Sequence, residues 1–267
     1  VADGKVALIG GINIANRYQG TSVERPWLDF AIEINSSIAK DIQSHCKANY
    51  SKKKSALRKT ILPTFEAEEK VMIQILQNDW LNRKSEISEA YIQAVSEAKE
   101  KVIIVGSYFL PGRKLTNALL EASKSKVKIQ LILSGVSDLP MTRRASCYLY
   151  SKLLKHNIEL YEWNQSVLHG KAMVVDGSWS TIGSFNLNNL SSYASIEMNV
   201  GIESPAFAAL FEEELQQILL QCQKITSESF QTRNTISSKI NNALSYYITR
   251  GIEIIVTYLP YKRFNHS

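Results

Sequence analysis

An internal repeat constrains this chain more than any other feature of its sequence. Residues 3–13 read DGKVALIGGIN and residues 176–186 read DGSWSTIGSFN, with identical residues at five of the eleven aligned positions. The shared positions include the Asp-Gly pair at the start and the asparagine at the end. Such self-similarity indicates two units of common origin. We therefore predict two homologous halves.

The second half alternates predicted strands and helices. Helical spacing of apolar residues predicts helices over 87–100, 115–125, 140–157 and 206–222, and apolar or β-branched runs predict strands over 101–109, 127–134, 158–163, 171–176, 179–183 and 196–203. The Asp-Gly dipeptide at 176–177 lies between two of these strands and is a hairpin signal. The pattern predicts an α/β fold of two halves, with a mixed β-sheet flanked by helices and an incomplete first half.

Three segments are predicted along the chain. Residues 1–86 hold the remainder of the first half and connecting helices, and residues 87–223 form the second half. Residues 224–267 form an amphipathic tail that either packs on the domain or lies in a membrane interface. No uninterrupted apolar run reaches the roughly 18 to 20 residues that span a bilayer.

Composition narrows the class of partner only a little. The 267 residues carry a net charge of +6, and 45% of them are hydrophobic, as expected for a globular protein. A modestly basic balance suits phospholipid headgroups or nucleic acid, and it is equally compatible with no anionic partner. Cys46, Cys147 and Cys222 lack C-x-x-C spacing, so neither a zinc site nor a disulfide framework is indicated.

One segment carries residues suited to phosphoryl chemistry. His169 and Lys171 are two positions apart on a predicted strand, so their side chains share a face. A lysine can neutralise a phosphate oxygen, and a histidine can act as nucleophile or proton carrier. Ser184 and Asn186 could donate hydrogen bonds to the same phosphate. Glu197, on the next predicted strand, could orient an imidazole ring.

These residues complete the pattern H-x-K-x4-D-x6-G-S-x-N, which resembles the signature of the phospholipase D superfamily. Its members here are His169, Lys171, Asp176, Gly183, Ser184 and Asn186. The flanking text SYFLPGRKLTNALLEASKSKVKIQLILSGVSDLP and YLYSKLLKHNIELYEW, with GGINIANRY in the first half, looks like the bacterial cardiolipin synthases. The resemblance extends to about residue 222 and is weaker in the tail.

The resemblance implies a single site built from two such motifs, one from each half. One histidine would form a phosphohistidine intermediate, the other would carry protons, and no metal or other cofactor would be needed. The acidic residue downstream of each motif would orient the histidine of its own half, which assigns Glu197 to His169 and Asp29 to the first-half histidine. The remaining motif positions are phosphate-binding or structural: Asn13, Ser184 and Asn186 for phosphate, and Asp3, Gly10, Gly183 and the motif aspartate Asp176 near the hairpins.

The resemblance also implies a reaction. It favours transfer of a phosphatidyl group to phosphatidylglycerol, by an enzyme held peripherally at the cytoplasmic side of a bacterial membrane, with no nucleic-acid partner. A hydrolytic phospholipase or a nuclease on the same scaffold stays open, as does an inactive fragment or non-catalytic module. By the spacing of the second motif, the first histidine and lysine would precede Asp3 by seven and five positions, before Val1. We therefore expect a truncated first half, impaired activity of this chain alone, and proximity of Asn13 and Asn186.

Overall fold

The secondary structure is that of an α/β protein. A computed structural model describes residues 1–50, 60–61 and 71–263. The strands are β1 (Val6–Gly10), β2 (Ala31–Asn35), β3 (Thr60–Ile61), β4 (Met72–Asp79), β5 (Lys84–Ser85), β6 (Lys101–Gly106), β7 (Lys128–Val136), β8 (Glu159–Val167), β9 (Lys171–Val175), β10 (Trp179–Gly183), β11 (Ile196–Glu203) and β12 (Gln223–Ile225). The helices are α1 (Ile38–Tyr50), α2 (Glu86–Glu97), α3 (Arg113–Lys124), α4 (Pro140–Lys155), α5 (Asn189–Tyr193), α6 (Pro205–Gln221), α7 (Ser227–Arg233) and α8 (Ile236–Arg263).

The main sheet is mixed, as the sequence predicts. Its strand order is β12-β8-β7-β6-β9-β10-β11-β4-β3, and β5 pairs with β4. Strands β6, β7 and β8 are parallel, and α3 and α4 connect them. The other pairs are antiparallel, including the hairpin of β9 and β10. The predicted fold class, a mixed sheet flanked by helices, is confirmed.

Each face of the sheet is covered by a separate apolar layer. On one face, the buried side chains of α2, α3 and α4 pack on β6, β7 and β8. On the other face, α6 packs on β9 and β10. The start of α6 is fixed by Pro205 and by Ser204, whose hydroxyl accepts a hydrogen bond from the Phe207 amide.

The first half contributes a small antiparallel pair, β1 and β2, that packs beside β10 and β11. Their registers match: Gly10 faces Ala31 across the pair, and Gly183 faces Asn199. Asp29 and Glu197 each lie two residues before those partners and therefore hold equivalent positions. The matched registers support the two-half reading of the repeat.

One strand of the main sheet lies within the predicted segment 1–86 and was not predicted individually. Residues 72–79 form β4, which pairs with β11 on one side and with β3 on the other. Its last five residues are buried because α2 and α5 lie against it. The predicted segment boundaries stay predictions. In the part of the chain that the structure describes, no helix is both long and apolar enough to cross a bilayer.

Candidate active site

His169 lies where the loop after the first-half motif meets the start of β9. The Leu28 amide donates to the Val167 carbonyl at 3.0 Å, and the His169 amide donates to the Leu28 carbonyl at 2.7 Å. This ladder brings Asp29 beside His169, with 2.7 Å between Asp29 Oδ2 and His169 Nδ1. Backbone hydrogen bonds alone thus hold together two segments that are far apart in the sequence.

The Asp29 contact fixes the chemistry of the imidazole ring. The Asp29 side chain is 1% exposed and the His169 side chain 14%. An ionised carboxylate can only accept a hydrogen bond, so Nδ1 carries the proton and Nε2 keeps a lone pair. A lone pair on Nε2 can attack phosphorus or accept a proton.

The residue at position 11 makes room for this carboxylate. Gly11 aligns with Ser184 of the second half, and a Cβ at Gly11 would lie 2.6 Å from Asp29 Oδ1. The neighbouring motif glycines admit close backbone approach, because a Cβ at Gly10 or Gly183 would lie 2.2 or 2.4 Å from a carbonyl oxygen of the paired segment. The glycine pattern of the repeat is therefore a packing requirement.

The assignment of Glu197 to His169 is wrong. The carboxylate that contacts His169 is Asp29 of the other half. Glu197 instead accepts hydrogen bonds from the hydroxyls of Ser184 and Ser195, the latter at 2.9 Å. Asp29 therefore reaches across to the histidine of the other half, whereas Glu197 bonds to serines of its own half. Asp29 contacts His169 instead of the first-half histidine to which it was assigned, and its role in catalysis stays a prediction.

Lys171 is a buried cation beside these groups. It is 2% exposed, and its ammonium donates to the His169 carbonyl oxygen. Burial lowers the pKa of Lys171 to about 8. The negative charges of Asp29 and Glu197 oppose this shift, so carboxylates of both halves act on one ammonium group.

This environment predicts a pH dependence of stability. The unfolded chain keeps Lys171 protonated up to its ordinary value of 10.5, whereas the folded chain releases the proton near its lowered pKa of about 8. The unfolded state therefore binds more protons between these values, and the free energy of unfolding attributable to this group rises with pH there. Between about pH 7 and about pH 10, wild type should gain on the order of 2 kcal/mol over Lys171→Met. Urea denaturation at each pH measures it.

A matched control comes from an exposed lysine. Lys5 is exposed, so Lys5→Met should keep the same pH profile as wild type. If wild type and Lys171→Met differ by the same free energy of unfolding at every pH in this range, the Lys171 amine titrates as it does in water.

Three aromatic side chains surround His169, and the motif analysis missed them. The rings of Tyr18, Trp27 and Tyr108 have centroids 5.9, 5.8 and 6.1 Å from that of His169. The Tyr18 hydroxyl lies 3.0 Å from His169 Nδ1, and Tyr108 donates to Asp138 at 2.7 Å. Burial raises the pKa of both tyrosines. The sequence carried a signal: Trp27 is two residues before Asp29, and Tyr108 follows β6.

The two motif asparagines are connected to this region through different hydrogen bonds. Asn13 donates to the Tyr18 hydroxyl at 3.1 Å, and that hydroxyl contacts His169. Asn186 accepts a hydrogen bond from Ser107 at 2.9 Å. Ser107 directly precedes Tyr108, so Asn186 is tied to the loop after β6. Direct proximity of the two asparagines stays a prediction.

The motif aspartates shape turns and stand apart from the phosphate chemistry. Asp3 and Asp176 have φ values of 51° and 49°, and the following glycines also have positive φ. The Asp176 carboxylate accepts hydrogen bonds from three successive amides, those of Lys99, Glu100 and Lys101. Asp176 follows the end of β9, whereas His169 precedes its start. These contacts favour a structural role for Asp176 over a catalytic one.

Similarity to known proteins agrees with this arrangement. Residues 91–219 match the family model described as "Cardiolipin synthase, PLD-like domain". This part of the chain is therefore similar to the phospholipase D-like domain of the cardiolipin synthases. The matched residues include β6 to β11, and therefore the whole motif from His169 to Asn186.

The curated relatives that this chain matches are longer than the chain itself. It is 28% identical over 266 residues to cardiolipin synthase B of Shigella flexneri and of Escherichia coli K12, covering 97% of this chain and 64% of each relative. It is 26% identical over 253 residues to minor cardiolipin synthase ClsB of Bacillus subtilis, covering 93% of this chain and 62% of that protein. The chain thus spans just under two thirds of these relatives.

Solved structures confirm the phospholipase D-like fold. Phosphatidylserine synthase of Haemophilus influenzae superposes with a TM-score of 0.68 at 14% identity, covering 95% of this chain and 68% of that one. Nuc of Salmonella typhimurium, a phospholipase D family member, gives 0.51 at 19% identity, covering 59% of this chain and 99% of that one. At these identities the likeness concerns the fold alone.

Proposed function

We propose that the chain supplies one half of the catalytic site of a phosphatidyltransferase of the cardiolipin synthase type. The main support is the 2.7 Å contact of Asp29 with His169 beside the buried Lys171. This arrangement combines a ring nitrogen that has a lone pair with a cation for a phosphate oxygen. The relatives named cardiolipin synthase support phospholipid as the substrate class.

The proposed reaction is a double displacement. Nε2 of one histidine attacks the phosphorus of a phosphatidylglycerol, a P–N bond forms, and the P–O bond to the terminal glycerol breaks. The second histidine gives a proton to the leaving oxygen. The hydroxyl of a second phosphatidylglycerol then returns a proton to that histidine and attacks phosphorus, which breaks the P–N bond. The products are cardiolipin and one glycerol.

The residues of this chain take defined roles in that reaction. His169 is one histidine of the pair, and the repeat predicts the other seven positions before Asp3. Asp29 holds the Nδ1 proton of His169 and stabilises the ring when Nε2 bears a proton or phosphorus. Lys171 offsets the charge that develops on the phosphate oxygens. Asn13 and Asn186 lie in the two halves as phosphate-binding candidates. No step in this scheme calls for a metal.

Product analysis tests the proposal. The full-length protein, given vesicles of phosphatidylglycerol and a chelator, should form cardiolipin and free glycerol in equal amounts, measured by lipid mass spectrometry and a glycerol assay. The His156→Ala variant should do the same, because His156 lies at the end of α4, away from the site. Phosphatidic acid as the sole lipid product would contradict transfer in favour of hydrolysis. Cleavage of nucleic acid without lipid turnover would assign the chain to the nucleases.

A further inference from the structure

The C-terminal helix α8 is packed with its polar side inward. Ser245 and Glu253 are 7% and 2% exposed, respectively. The outward side chains are large and apolar: Ile236, Ile240, Leu244, Tyr247, Ile248, Ile252, Ile254, Ile255 and Val256 are all at least 40% exposed. A helix on a soluble domain usually buries its apolar stripe. The arrangement here is the reverse.

The exposed side chains form one continuous row, named here the apolar stripe: Ile236, Ile240, Leu244, Ile248, Ile252 and Ile255. Successive members are three or four positions apart, which places them on one side of the helix. At 1.5 Å per residue the row is about 28 Å long. An apolar surface this long on one side of a helix marks a docking site.

The charges around the apolar stripe are positive. Glu253 is the only acidic residue between positions 236 and 263, and its buried carboxylate is paired with Arg250 at 3.0 Å. Beside the start of α8, a surface recess of about 420 Å³ is lined by three lysines and no carboxylate among the described residues. The lysines are Lys152, Lys155 and Lys239. The surroundings of the stripe therefore suit an anionic surface.

The same helix touches the loops that carry site residues. The Arg250 guanidinium donates to the Pro111 carbonyl, in the loop that begins with Ser107 and Tyr108. The Glu253 carboxylate receives a hydrogen bond from the backbone of Asn189, three residues after Asn186. Two hydrogen bonds thus join α8 to the loops that carry Tyr108 and Asn186.

We infer that the apolar stripe and the three lysines form the surface by which the protein docks on an anionic phospholipid bilayer. The stripe enters the acyl boundary while the lysines meet headgroup phosphates. Tyr148 and Tyr247, whose hydroxyls lie 3.2 Å apart, join apolar and polar zones as interfacial tyrosines do. A second copy paired in parallel would bring both lysine clusters together with no exposed carboxylate of α8 to offset them, whereas headgroup phosphates do offset them. The inference deepens the proposed function by naming the surface that approaches the substrate membrane.

Vesicle binding tests this surface without requiring turnover. The full-length protein with His169→Ala is mixed with vesicles of phosphatidylcholine alone or with phosphatidylglycerol added, and the bound fraction is measured by sedimentation. Replacing Ile240, Leu244 and Ile255 with glutamine should weaken binding to the anionic vesicles about tenfold or more. Replacing the three lysines with glutamine should remove the preference for phosphatidylglycerol. Because sedimentation measures binding and does not depend on turnover, failure of the proposed reaction leaves this test intact.

A matched control uses exposed leucines elsewhere. Leu210 and Leu220 of α6 are 66% and 80% exposed, so Leu210→Gln with Leu220→Gln should bind vesicles like the parent. Circular dichroism should show the same helix content in all variants. Absence of vesicle binding by the parent would overturn the inference. Unchanged vesicle binding in the stripe variant, with a dimer becoming a monomer by analytical ultracentrifugation, would assign the stripe to a second copy.

Discussion

Replacing His169 with alanine in the full-length protein is expected to lower turnover by about 10³-fold or more. The substitution removes the Nε2 lone pair and leaves Asp29 and Lys171 without the group that they orient and assist. A nucleophile or proton carrier acts together with its neighbours, so the loss should approach that of removing the whole site. Turnover of phosphatidylglycerol, followed by product formation, is the measurement.

The fold should survive this change. The His169 side chain contacts aromatic rings at 5.8 to 6.1 Å but stays 14% exposed. Its loss should lower the free energy of unfolding by about 1–2 kcal/mol. The control is His156→Ala: its ring contacts the Lys152 carbonyl oxygen at 2.9 Å within α4. Near-normal turnover by folded His169→Ala would remove this residue from the mechanism.

The second half of the fold was predictable because its hydrophobic periodicity is strong. Predicted strands at 179–183 and 196–203 have the observed bounds, and the predicted helix at 140–157 is observed at Pro140–Lys155. Strands buried on both faces gave continuous apolar runs, and helices flanking a sheet gave apolar residues at helical spacing. Both signals are local, so one sequence suffices to detect them.

Strand β4 was not predicted because its identity depends on a distant partner. Residues 72–79 pair with β11, more than a hundred positions downstream. A short apolar run does not distinguish a strand from a buried helix turn without its neighbours. The basic run at 52–54, near Arg58 and Lys59, lies outside the described residues.

The contact of Asp29 with the histidine of the other half, called here the crossed pairing, also could not be predicted from the local sequence pattern. Asp29 and Glu197 hold equivalent positions in the repeat, so spacing alone gives each acid the same relation to its own motif. Which histidine each carboxylate reaches depends on how the halves face each other. The ladder between Leu28 and residues 167–169 decides it, and that ladder is a tertiary contact.

The crossed pairing makes a prediction that separates Asp29 from Glu197. Asp29→Asn in the full-length protein should reduce turnover by about 10²–10⁴-fold, because the neutral amide holds the imidazole tautomer less firmly. Glu197→Gln could also lower turnover, so activity alone does not distinguish the two acids. The distinguishing measurement is the ring-nitrogen NMR signal of His169.

In wild type, the neutral imidazole of His169 should carry its proton on Nδ1, since the Asp29 carboxylate lies 2.7 Å from that atom. Asp29→Asn should shift the ring toward a mixture of tautomers, because an amide can donate to Nδ1 as well as accept from it. Glu197→Gln should leave the ring-nitrogen signals of His169 unchanged, since Glu197 receives its hydrogen bonds from Ser184 and Ser195. A tautomer change with Glu197→Gln and none with Asp29→Asn would restore the within-half pairing. The outcome therefore decides which half of the site orients His169.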